Sequence, residues 1–141
     1  MIAVPEVIDK FQQQYFFLSN FYDAKVKVFG LTFKNNEAAF QSQKCPERAH
    51  EFCRLDSSSA KKLGRSVQLR SDWEDVKEQV MYDCCKAKFM QNKDLKRKLI
   101  NTGHAELIEG NTWKDKVWGV YKGQGENKLG KILMQIRSEL H

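Results

Sequence analysis

With 141 residues, 41% of them hydrophobic, the chain is long enough for one compact domain with a core of its own and too short to suggest a second. No run approaches the roughly 20 consecutive apolar residues of a membrane span, and Met1 to Lys10 lacks the basic-then-apolar order of a signal peptide, so a cytoplasmic setting is expected. A net charge of +6 suits an anionic substrate or partner without saying which. Cys45, Cys53, Cys84 and Cys85 lack Cys-x-x-Cys spacing and read as small buried hydrophobes. The sequence calls for no metal and no cofactor.

In chain order, Tyr15-Phe16-Phe17-Leu18 is aromatic and extended in character. Val26-Lys27-Val28-Phe29 alternates before Gly30 and the short run Leu31-Thr32-Phe33, which predicts a small antiparallel β hairpin. Asn35 or Asn36 suits the cap of the helix that follows. Ser57 to Ser59 opens a short helix that Gly64 closes, with Arg65 directly behind it. Ser71-Asp72-Trp73-Glu74 has the form of a capping box, and Trp73, Val76, Val80, Cys84 and Ala87 recur at steps of three and four, marking a core helix. Leu95 and Leu99 mark another that ends near Gly103, and its run Lys93-Asp94-Leu95-Lys96-Arg97-Lys98 reads as an exposed face, a weak signal for nucleic acid. Leu107-Ile108 reads as a brief strand before a turn at Gly110-Asn111. Leu129, Ile132, Leu133, Ile136 and Leu140 form a last amphipathic helix, beginning at Asn127. The expected fold class is mainly α (α+β): one helical domain over residues 1–141 with a small antiparallel β element near the N-terminus.

Two stretches carry chemistry. A helix through Asn35 to Lys44 sets Gln41 one turn past Glu37 and Lys44 nearly two turns past it, aligning a carboxylate, an amide and an amine. A solvated face with weak surface pairing would have the same sequence, and Glu37 in the first turn is also favoured by the helix dipole alone. The loop from Trp118 to Gly130 combines glycines, basic residues and a helix start, which suits a phosphate and equally an ordinary turn and cap. It is neither a Walker loop nor a dinucleotide fingerprint.

Taken together, Phe17-Leu18-Ser19-Asn20-Phe21, the run Glu37 to Lys44, Ala60-Lys61-Lys62-Leu63-Gly64-Arg65, Trp73 with Val80-Met81, Lys88-Phe89, Thr102-Gly103, Asp115-Lys116-Val117-Trp118-Gly119 and Gly125 to Arg137 occur in an order and spacing that resembles the NADAR family of N-glycosidases. The resemblance spans nearly the whole chain. It implies a mainly helical enzyme that cleaves a ribosyl N-glycosidic bond. The implied substrate is either a phosphorylated ribosylaminopyrimidine intermediate of riboflavin biosynthesis or ADP-ribosylated guanine, with nucleic acid then the carrier. The rival expectation is a non-catalytic module that binds NAD, ADP-ribose or nucleic acid through the same basic loop and aromatics.

By position, Glu37 and Lys44 look like the family's central carboxylate and amine, with Asp115 and Trp118 of the Asp-x-x-Trp-Gly segment completing the site. The resemblance also assigns Asn20 and Arg65 to sugar or phosphate, Asn127 to phosphate, Gly119 to the substrate-binding segment, and Trp118 with Phe21 to stacking on the base. Breaking a C1–N bond builds positive charge on the sugar and negative charge on the base, so Glu37 or Asp115 serves as acid or base. An amine such as Lys44 can attack C1 and form a Schiff base, but only as the neutral species. A free lysine has a pKa of about 10.4 and an adjacent carboxylate favours its ammonium. Lys44 as nucleophile and Lys44 as electrostatic clamp are therefore both open. The chain departs from the family pattern around Glu37, with Lys34-Asn35-Asn36 before it and Ala38-Ala39 after it, which leaves no imidazole beside the centre. Cys45 and Val120-Tyr121 are further departures, bearing on local packing and specificity.

Overall fold

The computed structural model describes residues 4–140. In chain order its elements are β1 (Val7–Ile8), a 3-10 helix (Gln13–Leu18), β2 (Asp23–Val28), β3 (Leu31–Asn35), α1 (Asn36–Ser42), a second 3-10 helix (Pro46–Phe52), α2 (Ser57–Ser66), α3 (Trp73–Gln91), α4 (Lys93–Asn101), β4 (Glu106–Leu107) and α5 (Lys128–Glu139). The fold is mainly α, about 51% helical with little sheet, as the patterning predicts. The chain clusters into two compact units, Met1–Ser19 with Lys93–His141, and Asn20–Asn92.

In the unit of Asn20–Asn92 the hairpin forms where alternation predicts it. β2 and β3 pair antiparallel, with Val26 opposite Phe33 and Val28 opposite Leu31. Phe29 and Gly30 both have positive φ, 58° and 76°, the requirement of a tight two-residue turn, which glycine meets without steric cost. Val26 and Phe33 are buried on one face of the ribbon. The strand leads directly into α1, because Asn35, its backbone still extended, serves as N-cap and its Oδ1 accepts from the Ala38 N–H at 2.7 Å. α1 packs against β2, β3, α2, α3 and the second 3-10 helix.

Two helix boundaries differ from expectation. Gly64 does not close α2, which runs on to Ser66. Asp56 caps it, accepting from the Ser59 N–H. Ser71 does not form a capping box. Asp72 is the N-cap of α3 without a side-chain cap bond, because its carboxylate is gripped by the Arg70 guanidinium at 2.6 and 3.0 Å. Cys45, Cys84 and Cys85 are buried as expected, Cys53 only partly, and all four are free thiols.

In the other unit, Tyr15 to Leu18 is not extended. Contacts Tyr15 N–H to Gln12 O and Ser19 N–H to Phe16 O wind it into the first 3-10 helix, which buries the adjacent pair Phe17 and Leu18. A strand would have sent those neighbours to opposite faces. β1 and β4 pair in parallel, Val7 with Glu106 and Ile8 with Leu107. α4 and α5 bury the predicted leucine and isoleucine positions, Ile132 being only half-buried. Among the described residues no helix is long and apolar enough to cross a membrane.

Of its predicted stripe α3 buries Trp73, Val80 and Cys84 and leaves Val76 and Ala87 half-buried, while Met81, Cys85, Lys88 and Phe89 are buried as well. Lys88 is 1% exposed, with its Nζ 5.0 Å from the ring centre of Phe89 and 5.7 Å from that of Tyr22. Burial pulls its pKa from 10.5 down to about 8. The unfolded chain therefore holds this proton over a pH range in which the folded chain has released it. Stability should rise as pH climbs from about 8 to 10.5, by up to about 3 kcal/mol relative to Lys88→Met. Parallel pH profiles for the two proteins in denaturant unfolding would contradict this.

Candidate active site

All seven residues of α1 are buried, including Asn36, Glu37, Gln41 and Ser42, so its polar groups must find partners inside the protein. Asn35 donates through Nδ2 to the Leu55 carbonyl at 3.0 Å. Asn36 Nδ2 donates to Asn20 Oδ1 at 2.8 Å and to the Cys85 sulfur at 3.4 Å. The Glu37 N–H donates to the Asn20 carbonyl at 3.0 Å. Glu37 is 8% exposed, and its Oε1 accepts from Gln41 Nε2 at 2.8 Å. Two buried acceptors, Gln41 Oε1 and Asn36 Oδ1, have no hydrogen-bond partner among the described residues.

Lys44 is not on the helix as expected. α1 ends at Ser42 with Gln43 as its cap, and Lys44 follows in a turn in which its N–H donates to the Gln41 carbonyl and its own carbonyl accepts from the Arg70 N–H at 2.8 Å. Its Nζ lies 5.9 Å from the ring centre of Trp73, which packs on Phe40 with centroids 5.2 Å apart. Trp73 is thus core, as the sequence suggests, and also a floor beneath the amine. The Lys44 pKa is lowered: burial is the largest cause, Glu37 opposes it, and the charges of Arg65 and Lys61 add to it. Burial and two cations outweigh the one carboxylate.

Arg65 and Lys61 belong to one face of α2, a turn apart. Between them Gly64 is buried against α1 so closely that a Cβ there would fall on Gln41 Oε1. Gly64 is therefore the crossing point of the two helices. Phe21 is half-buried with the Lys61 ammonium 5.7 Å from its ring centre. Asn20 is engaged within the fold at both ends of its amide, accepting from Asn36 and donating to the Met81 sulfur at 3.4 Å. The predicted residues Asn20, Phe21, Glu37, Lys44 and Arg65 thus share one unit.

Asp115, Trp118, Gly119 and Asn127 belong to the other. Asp115 Oδ1 accepts from the N–H groups of Val117 and Trp118 at 3.0 and 2.9 Å, which orders the turn leading to the half-buried Trp118. Gly119 is buried, with Glu109 against the space a side chain would take. Asn127 precedes α5 with a left-handed backbone, φ 51°, and makes no side-chain cap. Its amide instead accepts from the Glu109 N–H at 3.0 Å and donates to the Leu107 carbonyl at 2.9 Å. That amide ties the start of α5 to β4. Among the described residues no cluster of His, Cys, Asp or Glu suits a metal ion.

Residues 8–141 match the profile of the NADAR domain, and the chain belongs to that family. The chain is 42% identical to the N-glycosidase YbiA of Escherichia coli strain K12 over 128 residues, covering 86% of this chain and 79% of that protein. It is 38% identical to a riboflavin biosynthesis protein of Vibrio vulnificus over 130 residues, 88% of this chain but 35% of the larger relative. The NMR structure of the E. coli protein YbiA superposes with a TM-score of 0.86 at 36% identity, covering 99% of this chain and 87% of that one.

Sequence reasoning aligned the Gln41 amide with Glu37 without assigning it a role, and gave Lys61 and Gly64 no part in the site. Gln41 is four residues from Glu37 and Lys61 four from Arg65, spacings that the helical period carries; the role of Gly64 depends on a crossing that only the fold supplies. Gly64→Ala gains helix propensity while pushing the far end of the Gln41 side chain aside. We expect unfolding free energy to change by less than about 1 kcal/mol, with Gln41 losing its bond to Glu37, visible as faster exchange of its side-chain amide protons. Retained slow exchange would show that the crossing is looser than described.

Proposed function

We propose that this protein is an N-glycosidase that cleaves the bond between a ribosyl C1 and the nitrogen of a base, with Lys44 as nucleophile and Glu37 as the proton-transfer group. The observation that carries the reading is a partly buried amine within the electrostatic reach of a buried carboxylate, in a chain whose relative YbiA bears the name N-glycosidase. Between the two expected substrate classes, the riboflavin biosynthesis name of the Vibrio vulnificus relative favours a phosphorylated ribosylaminopyrimidine over ADP-ribosylated guanine.

The lowered Lys44 pKa leaves more of the amine neutral near neutral pH than a solvated lysine would have, and the neutral amine is the species that attacks. Its lone pair forms a bond to C1 as the C1–N bond breaks, and the leaving base takes a proton. Opening of the C1–ring oxygen bond then gives a protonated imine, and addition of water releases the sugar and returns the amine. Glu37 supplies and recovers the protons, held in place by Gln41 at 2.8 Å. Asp115 acts as a positioning residue for the turn of Trp118 within its own unit. Arg65 meets the substrate's anionic end, while the amide of Asn20 holds α1 in place.

Incubation with the ribosylaminopyrimidine phosphate and with an ADP-ribosyl-guanine oligonucleotide, followed by mass analysis, tests the activity and its preferred substrate; release from neither would favour the non-catalytic binder. Glu37→Gln should lower turnover by more than about a hundredfold with the fold intact. Borohydride added during turnover should trap a sugar on Lys44 and none on Lys44→Arg. An active Lys44→Arg with no adduct on the wild type would end the nucleophile assignment.

A further inference from the structure

Lys61 is half-buried on α2, one turn before Arg65. Gly64, between them in the sequence, brings this part of α2 against Gln41, the neighbour of Glu37 on α1. The charges of Lys61 and Arg65 both reach Lys44, where the opposing charge is Glu37. With Lys44 as ammonium, these four groups carry three positive charges and one negative. The excess is what a doubly charged anion neutralises.

We propose that Lys61 and Arg65 form a subsite for a terminal phosphomonoester on the ribosyl part of the substrate, and that Lys61 moves from the face of Phe21 to pair with it. The proposal rests on the N-glycosidase reading and adds to it the feature of the substrate that is recognised. A phosphomonoester carries a charge of about −1.5 to −2 near pH 7 on three acceptor oxygens. The Arg65 fork can take two of them and the Lys61 ammonium the third. A pyrophosphate linking two nucleosides carries one charge on each phosphorus and is substituted on both sides, a poorer match. Movement of Lys61 also uncovers the Phe21 ring for contact with the base or sugar. The same cation then serves as a cover in the empty site and a clamp in the filled one.

The test compares kcat/KM for a matched pair of N-ribosyl substrates, with and without the terminal phosphate, in wild type, Lys61→Met and Lys61→Arg, together with binding of ribose 5-phosphate, ribose and ADP-ribose followed by calorimetry and by the Phe21 ring resonances. We expect wild type to prefer the phosphorylated substrate by at least about a hundredfold, Lys61→Met to bring that ratio below about tenfold, and Lys61→Arg to keep most of it. Ribose 5-phosphate should bind more tightly than ADP-ribose and shift the Phe21 resonances. An unchanged ratio in Lys61→Met, or a wild type indifferent to the phosphate, overturns the subsite and leaves the N-glycosidase reading standing. Binding of ribose 5-phosphate that weakens in Lys61→Met, with neither substrate cleaved, upholds the subsite and overturns the activity. Failure of ribose 5-phosphate to bind the wild type overturns the subsite as well.

Discussion

Burial of a polar helix is the constraint from which the arrangement around Glu37 follows. α1 has only seven residues, too few to be stable alone, and all of them are buried. Asparagine, glutamate, glutamine and serine cannot enter a core unaccompanied, so neighbouring segments supply their partners. Asn20 gives α1 both a carbonyl and a side-chain oxygen, Cys85 a sulfur on α3, and Leu55 a carbonyl for the capping Asn35. These bonds fix where Glu37 points. The two acceptors left over, Gln41 Oε1 and Asn36 Oδ1, are the places where this internal matching stops.

The electrostatics of the site arise from the same burial. Desolvation makes the Lys44 ammonium costly, and its nearest compensation, Glu37, is itself buried and bonded to Gln41. The sequence left open whether Glu37 would keep Lys44 charged. In the fold the carboxylate is outweighed, because the lysine lies over the Trp73 ring and in reach of the charges on α2, an influence that spacing within one helix does not reveal.

Elements governed by local rules were legible in the sequence. The hairpin followed from alternation around Gly30, the cap from Asn35, and the buried rows of α3 and α5 from the helical period. The misreadings came where a side chain had a competing partner. Asp72 was drawn to Arg70, and Asn127 was used to join α5 to β4. The parallel pairing of β1 with β4 joins residues about a hundred positions apart through two residues each, which no local pattern announces. Of the proposed site, Glu37, Lys44 and Arg65 were singled out by order and resemblance. Gln41 was aligned with Glu37 by the helical period alone, whereas Lys61 was given no role, since its place depends on the crossing of two helices.

That crossing divides the neighbourhood into a part that is rigid and a part that can vary. At Gly64 the two helices touch almost backbone to side chain, and nothing larger fits without moving Gln41 away from Glu37. One turn earlier and one residue later on the same helix, Lys61 is half-buried beside the Phe21 ring and Arg65 is exposed. Divergence of this site is therefore expected to be uneven: residues at 61 and 65 can be exchanged to suit a different ligand while the carboxylate and amine keep their places. On the proposed roles, the missing methyl group at position 64 lies between the residues that recognise the ligand and those that react with it.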